Sequence, residues 1–131
     1  MRMGDKPTPR PTDAELAILR VLWERGPSTV REVHDDLSRT QDTGYTTVLK
    51  LLQIMTDKGL VVRDESQRAH VYATRESEQR TQGRLIGDLI ERAFGGSPTK
   101  LVMQALSGTK ASAEELTQIR ELLEKMEGEA K

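Results

Sequence analysis

Residues 45–63 read YTTVLKLLQIMTDKGLVVR, and this stretch decides which fold the sequence predicts. If it is helical, four of its apolar side chains cluster within about 100° of one another, which is wide enough to seat a helix on a core. They are Val48, Leu51, Leu52 and Met55. Gly59 is a typical helix end, so the spacing predicts a helix from about Tyr45 to Lys58.

The opposite face of this predicted helix is short and polar. It carries Thr46, Lys50, Gln53 and Asp57, with Tyr45 and Thr47 at the start. These side chains are rich in hydrogen-bonding groups, and we interpret the face as a contact surface.

Two shorter helices are predicted upstream by capping boxes, in which a threonine and a glutamate three residues later satisfy each other's backbone N–H groups. Thr12 and Glu15 open the first helix, whose apolar face ends before Gly26-Pro27. That face is predicted to comprise Leu16, Leu19, Leu22 and Trp23. Thr29 and Glu32 open the second helix, with a buried face of Val30, Val33 and Leu37. A polar connector, residues 38–44, leads to the third helix.

Two β-prone runs follow the third helix. Residues 60–63 and 69–73 are joined by the polar residues 64–68, which predicts a β-hairpin. Residues 12–74 therefore give the order helix, helix, helix, hairpin.

The rest of the chain is predicted to be helical, with helices over about 76–94, over 99–106 behind a Ser97-Pro98 cap, and from a third capping box at Ser112 and Glu115 to near the C-terminus. A unit of about 50 residues buries little apolar surface alone, so its stripes need a partner, and a second copy of the chain is the simplest one. The residues predicted to form this dimer interface are Leu85, Ile86, Leu89, Phe94, Leu101, Val102, Leu106, Leu116, Ile119, Leu122 and Leu123.

Composition narrows the class of protein. No stretch of the 131 residues approaches the roughly 18 uncharged apolar residues that a membrane span needs. The absence of cysteine removes disulfides and thiolate metal sites, and fits a cytoplasmic protein. The proline-rich residues 1–11 are predicted to be a disordered arm rather than a signal peptide.

Charge is nearly balanced, with 20 basic and 21 acidic residues, which argues against indiscriminate nucleic-acid binding. Residues 1–10 and 38–75 are nevertheless mildly basic, whereas residues 11–37 and 76–131 are mildly acidic. Taken alone, such a pattern also fits ordinary solvated surfaces.

Three helices followed by a hairpin is the order of the winged helix-turn-helix, in which the third helix enters the major groove and the hairpin is the wing. Lys50 can reach guanine or a phosphate, Gln53 can pair with adenine, and the methyl groups of Thr46 and Thr47 can meet thymine. Arg10, Arg68 and His70 would position the protein on the DNA backbone. The predicted DNA-binding residues are Arg10, Thr29, Tyr45, Thr46, Thr47, Lys50, Gln53, Arg68 and His70. The alternative is that the winged helix binds another protein.

Three stretches carry a resemblance to a known family: PTDAELAILRVLWERGPSTVREVHDDL (11–37), YTTVLKLLQIMTDKGLVVRDESQRAHVYA (45–73) and KLVMQALSGTKASAEELTQIRELLEKM (100–126). The chain resembles the penicillinase repressor (BlaI/MecI) family of transcriptional regulators. The resemblance implies a homodimeric repressor on a palindromic operator, with a DNA-binding domain over 12–75 and a three-helix dimerisation domain over 76–131. The element order itself predicts a mainly α-helical fold with a small β-hairpin, and because no catalytic or phosphate-binding motif occurs we predict no enzymatic activity and no cofactor.

The sequence departs from the family at two places. The well-known members are cleaved at an Asn-Phe pair, and the aligned residues here are Gln104 and Ala105. The resemblance therefore does not extend to that cleavage, and a regulatory protease or sensor is not identified. A copper-responsive branch uses cysteines near its C-terminus, so that sensing mode is excluded for this chain.

Other chemistry is weakly indicated. His34-Asp35-Asp36 resembles a metal-hydrolase pair, but a metal site needs three or four converging ligands, and we expect this stretch to end a surface helix without metal. Trp23 is expected to pack in the core.

Overall fold

The computed structural model describes residues 10–130, so residues 1–9 of the predicted arm and Lys131 lie outside it. The described chain forms six helices and three short strands. They are α1 (Asp13–Arg25), β1 (Ser28–Thr29), α2 (Val30–Leu37), α3 (Tyr45–Lys58), β2 (Val61–Asp64), β3 (Val71–Thr74), α4 (Glu78–Ala93), α5 (Pro98–Ser107) and α6 (Ala113–Ala130).

The helix starts follow from local capping, as the sequence predicts. Thr12 and Thr29 each accept a hydrogen bond from the backbone N–H of the glutamate three residues on, at 3.2 Å, and that glutamate accepts one from the threonine N–H at 2.9 Å. Ser112 and Glu115 repeat the arrangement before α6. All three predicted capping boxes are confirmed.

The hydrophobic core belongs to the first three helices and the sheet. Its buried apolar residues are Ile18, Leu19, Leu22, Val30, Val33, Leu37, Val48, Leu52, Met55, Leu60, Val61 and Tyr72. The predicted faces of α2 and α3 are confirmed, with Leu51 packing at the margin. On α1 the centre of the buried face is Ile18, which was not among the residues predicted for that face, and Leu16 and Trp23 are only partly buried. Apolar residues occupy most positions of α1, so periodicity alone does not identify its most buried side.

The predicted hairpin is confirmed, but it is part of a three-stranded antiparallel sheet of order β1-β3-β2. The two-residue strand β1 pairs with the outer edge of β3, placing Ser28 opposite Tyr72 and Thr29 opposite Val71. A strand this short shows no alternation of apolar and polar residues, so the sequence did not reveal it. The strand limits also shift: Leu60 precedes β2, and Ala69 and His70 lie in the loop between the strands.

The buried carboxylate of Glu15 joins the start of α1 to the end of α3. Glu15 is 2% exposed, and both its carboxylate oxygens accept hydrogen bonds from Lys58 Nζ, at the last residue of α3. Burial opposes ionisation of Glu15, but the hydrogen bonds and charge of Lys58 and the bonds from Thr12 outweigh it and lower the pKa of the carboxyl. Lys58 is followed by Gly59, whose φ of 80° ends the helix in the left-handed region.

The described chain divides into two compact units, and the division falls between Leu85 and Ile86, within α4. The first unit thus extends beyond residue 75, where the sequence placed the end of the winged helix. Trp23 Nε1 donates a hydrogen bond to the Glu76 carbonyl at 3.1 Å, and Thr81 on α4 is buried, which agrees with this extension.

The second unit contains the end of α4 with α5 and α6. Ser97 caps α5 by accepting from the Lys100 N–H, and Pro98 is its first residue, as the sequence predicts. Phe94, predicted to be helical, follows the end of α4, where the Gly96 N–H bonds back to the Ile90 carbonyl and closes the helix. Neither α5 nor α6 has a buried residue. No helix within residues 10–130 is long and apolar enough to cross a bilayer.

Candidate nucleic-acid interface

The outward face of α3 is the main candidate surface. Val48, Leu52 and Met55 hold the helix on the core by one side, which turns the other side to solvent. The side chains exposed there are Thr46, Thr47, Lys50, Gln53 and Asp57. Lys50 has no carboxylate within ion-pair distance among the described residues, so its charge is available to a ligand.

The N-terminus of α3 is open. Its N-cap is Gly44, in an extended conformation with φ −90° and ψ 154°, and no side chain caps the first turn. The other helices with an assigned N-cap in residues 10–130 have a threonine or serine at that position. The first-turn N–H groups of α3 are therefore left to acceptors outside the protein side chains, and an oxyanion is the acceptor that the helix dipole favours.

Tyr45, the first residue of α3, lies against α2. The Cζ atom of Arg31 is 5.0 Å from the centroid of the tyrosine ring, a cation–π contact. The His34 ring meets the same ring edge-on, with centroids 6.1 Å apart. His34 Nε2 also lies 3.1 Å from the Thr43 carbonyl oxygen, which ties α2 to the connector before α3.

Arg31 is a candidate contact residue that was not among the predicted DNA-binding residues. It occupies the turn of α2 before His34, at the three-residue spacing that places two side chains on one helical face. That spacing was visible in the sequence. The approach of Tyr45 to this face depends on how α2 and α3 cross, which the sequence did not show.

The loop between β2 and β3 carries the predicted wing contacts. Arg68 is exposed and makes no ion pair with any described residue. His70 Nε2 is 3.7 Å from a Glu65 carboxylate oxygen, and Arg63 Nη2 is 3.5 Å from the same oxygen. At the start of the loop, Asp64 accepts a hydrogen bond from the Ser66 N–H at 2.9 Å, and its bonds with Ser66 lower the pKa of the aspartate. Glu65 thus offsets part of the positive charge of the wing, and Arg68 is its uncompensated cation.

Two other predicted DNA-binding residues lie in different settings. Thr29 is half-buried, and its hydroxyl caps α2, where bonds from Thr29 lower the pKa of Glu32. Arg10 is exposed and precedes Pro11 at the start of the described chain.

The predicted dimerisation residues are gathered at the end of α4, around the following turn and on α5 and α6. Seven of them are exposed, and these are Ile86, Leu89, Val102, Leu106, Leu116, Leu122 and Leu123. Leu85, Phe94, Leu101 and Ile119 are half-buried. Met103 and Met126 add to the apolar surface, at 61% and 55% exposed.

A cleft of about 710 Å³ opens on the first unit between α1, the end of α2 and the start of α4. Its walls mix Trp23 and Leu37 with the opposed charges of Arg20 and Glu24, and it includes no residue of α3. The described residues contain no group of three or more histidine, aspartate or glutamate side chains placed to hold a metal ion.

Comparison with known proteins finds relatives that belong to one family of repressors. Residues 11–125 match the family described as penicillinase repressor. The transcriptional regulator BlaI of Mycobacterium tuberculosis (strain ATCC 25618 / H37Rv) is 32% identical over 117 residues, covering 88% of this chain and 83% of that protein. The penicillinase repressor of Bacillus licheniformis is 25% identical over 119 residues, covering 91% and 93%.

Solved structures agree on the fold. The solution structure of the DNA-binding domain of the repressor BlaI covers 56% of this chain and 90% of its own, with 28% identity and a TM-score of 0.50. A MarR family protein from Bacillus stearothermophilus covers 92% of this chain and 75% of its own, with 22% identity and a TM-score of 0.51. The predicted fold class, mainly α-helical with an N-terminal winged helix, is confirmed.

Proposed function

The chain belongs to the penicillinase repressor family, and from this membership and the exposed face of α3 we propose that it is a sequence-specific DNA-binding transcriptional repressor. It acts as a homodimer on a palindromic operator, as a regulator without enzymatic activity, in the cytoplasm. Residues 12–75 form the DNA-binding domain and residues 76–131 the dimerisation domain, the first ten residues of which belong to the first compact unit.

The observation that carries the proposal is the pairing of a buried apolar stripe on α3 with an outward face that bears polar side chains. A helix of this kind can enter the major groove without losing its own packing. Lys50 donates hydrogen bonds to the edge of a guanine, and the Gln53 amide pairs with an adenine through two hydrogen bonds. The methyl groups of Thr46 and Thr47 contact thymine. The open N-terminus at Tyr45 receives a phosphate.

The remaining contacts position the protein without reading sequence. Arg68 and His70 on the wing loop meet the DNA backbone, and Arg10 reaches it from the arm. Thr29 contributes through its position at the start of α2, since its hydroxyl is used by the cap. Because Glu65 lies beside His70, Arg68 carries most of the wing's attraction for phosphate.

The second unit supports the proposed dimer. Its apolar side chains recur along α5 and α6 at helical spacing, and the described chain leaves them largely in water. An exposed apolar surface that recurs over several turns marks an association site. A second copy brings an identical stripe, so a two-fold axis pairs like with like and buries both. The same axis presents two α3 helices to two half-sites of one operator.

A selection experiment tests the proposal. The full chain is used to enrich a library of random 30-base-pair duplexes, and affinity for the enriched duplex and a scrambled one is measured by fluorescence anisotropy. We expect a symmetric enriched sequence and a preference of at least a thousandfold at about 0.1 M salt. Equal affinity for both duplexes, or no binding at micromolar protein, contradicts the proposal.

The salt dependence of binding affinity distinguishes DNA binding from the alternative, in which the winged helix binds another protein. Phosphate contacts release counterions, so DNA affinity should fall steeply and linearly in a double-logarithmic plot against salt concentration. A chain that retards no DNA but captures a protein with a flat salt dependence would support the alternative.

A further inference from the structure

Three arginines lie along or beside α2, and they differ in their partners. Arg25 Nη2 is 3.2 Å from Glu32 Oε2, and Arg39 Nη1 is 3.2 Å from Asp36 Oδ1. Arg31 has no carboxylate within 4.0 Å among residues 10–130, and its N–H groups donate to no described acceptor. The acidic residues of α2 therefore form ion pairs with the two flanking arginines, Arg25 and Arg39, and leave Arg31 without a carboxylate partner among the described residues.

Arg31 is not a free surface side chain, because it rests on an aromatic ring. The 5.0 Å separation between its Cζ atom and the Tyr45 ring centroid holds the guanidinium at the first residue of α3. The His34 ring meets the same ring edge-on from the next turn of α2. The contact orders the cation without using its hydrogen-bond donors, since the ring interacts through its face.

The small net charge of the α3 face makes the Arg31 guanidinium important for attraction to the DNA backbone. The face carries one lysine, Lys50, and one aspartate, Asp57, so its net formal charge is zero, and additional attraction for the DNA backbone has to come from side chains at its margins. Arg31 and the uncapped first turn of α3 lie at the same margin. An ordered arginine loses less conformational freedom on binding phosphate than a mobile one, and its planar fork suits two phosphate oxygens.

We propose that Arg31 is a positioning residue for DNA, which is held by Tyr45 and contacts one backbone phosphate per protomer beside the N-terminus of α3. The contact fixes the register and depth of α3 in the groove. This inference rests on the proposed DNA-binding function and adds to it a residue on the supporting helix.

The test compares Arg31→Gln with the unchanged full chain, using fluorescence anisotropy from 50 to 300 mM KCl. The probes are the duplex enriched by the unchanged protein and a scrambled duplex of the same length. We expect about tenfold weaker binding to both. The slope of log affinity against log salt should become shallower by about 0.9 per bound protomer, the loss of one phosphate contact.

Arg20→Gln is the matched control. Arg20 is also exposed and has no carboxylate partner within 4.0 Å among the described residues, but it lies on α1 at the cleft beside Trp23. The control removes one positive charge without touching the Arg31–Tyr45 pair, so its salt slope should equal that of the unchanged protein. Equal changes in slope for the two variants would mean a general charge effect and would overturn the inference.

Further variants distinguish a phosphate contact from a purely structural link between α2 and α3. Arg31→Lys keeps the charge and should recover the salt slope but only part of the affinity, because the planar fork is lost. If Arg31→Gln lowers the melting temperature while leaving the slope unchanged, the residue is structural and the inference is wrong. In that case the unchanged protein still binds DNA and the proposed function stands. Failure of the unchanged protein to bind either duplex refutes the proposed function itself.

Discussion

Lys58 Nζ lies 3.0 Å and 2.9 Å from the two carboxylate oxygens of Glu15, which joins the last residue of α3 to the first turn of α1. Glu15 is buried, whereas the Lys58 side chain is 32% exposed. One Glu15 oxygen also accepts the Thr12 N–H, so the same carboxylate caps α1 and anchors α3. The pair therefore fixes the far end of the helix that bears the proposed recognition face.

Replacing the lysine of this pair should destabilise the fold. Lys58→Met leaves the Glu15 carboxylate buried without its cation, and we expect the free energy of unfolding to fall by about 2 kcal/mol, below the full range for buried pairs because Lys58 is partly exposed. Urea unfolding followed by circular dichroism measures the change. Arg39→Gln breaks a surface pair on the same unit and should change stability by less than about 0.5 kcal/mol. Similar values for the two variants would contradict the assigned role of Glu15.

Stability should also depend on pH through Glu15. Its pKa is lowered in the folded state from an ordinary value of 4.5, because the bonds and charge of Lys58 and Thr12 outweigh the effect of burial. A lowered pKa stabilises the fold fully above pH 4.5, and this stabilisation is lost as the pH falls through the folded pKa. We expect the free energy of unfolding to decline below about pH 4.5, with a shallower decline in Glu15→Gln. Parallel pH profiles for the two proteins would exclude Glu15 as a source of the decline.

Substitutions should distinguish the residues that read bases from those that contact the DNA backbone. Gln53→Ala should relax preference at one base pair by about 1–3 kcal/mol, because an amide that pairs with adenine is lost. Arg68→Ala should weaken binding to enriched and scrambled duplexes alike, because a phosphate contact carries no sequence information. Anisotropy titrations against single-base variants of the enriched duplex give both numbers. An equal loss of affinity for all duplexes in Gln53→Ala would contradict the assignment of Gln53 to base reading.

Dimerisation should depend on the exposed apolar side chains of α6. The double change Leu122→Glu and Leu123→Glu introduces four charges into a proposed symmetric interface, and both side chains are already more than half exposed in the protomer. We therefore expect a folded monomer by sedimentation equilibrium, with unchanged far-ultraviolet circular dichroism. Val62→Glu, at a similarly exposed apolar residue of β2, should leave the oligomeric state unchanged. A double variant that sediments like the unchanged chain would remove α6 from the interface.

The sequence predicted what local chemistry determines. The bounds of α2 and α3 coincide with the prediction, because Thr29 and Glu32 specify one start and Gly59 specifies one end. Relations between distant residues were not predictable in this way. Glu15 was recognised as a capping residue, but Lys58 lies 43 residues away and meets it only when α1 and α3 pack.

The candidate site shows the same limit. Helical spacing sufficed to place Lys50 and Gln53 on an outward face, since that face is the complement of an apolar stripe. Arg31 was missed because its importance comes from the ring of Tyr45 on another helix. Glu65 was likewise not recognised as a partner of His70, because the wing loop had to be folded to bring them together.

Thr29 has two roles at once, since it pairs with Val71 of the wing strand β3 and is the N-cap of α2. The wing and α2 are therefore joined through the two-residue strand β1, with Arg31 only two positions beyond Thr29. We expect a displacement of the wing on DNA to shift the start of α2 as well, because β1 leads directly into that helix. Engagement of Arg68 and engagement of Arg31 should consequently assist each other, and their effects on DNA affinity should not simply add.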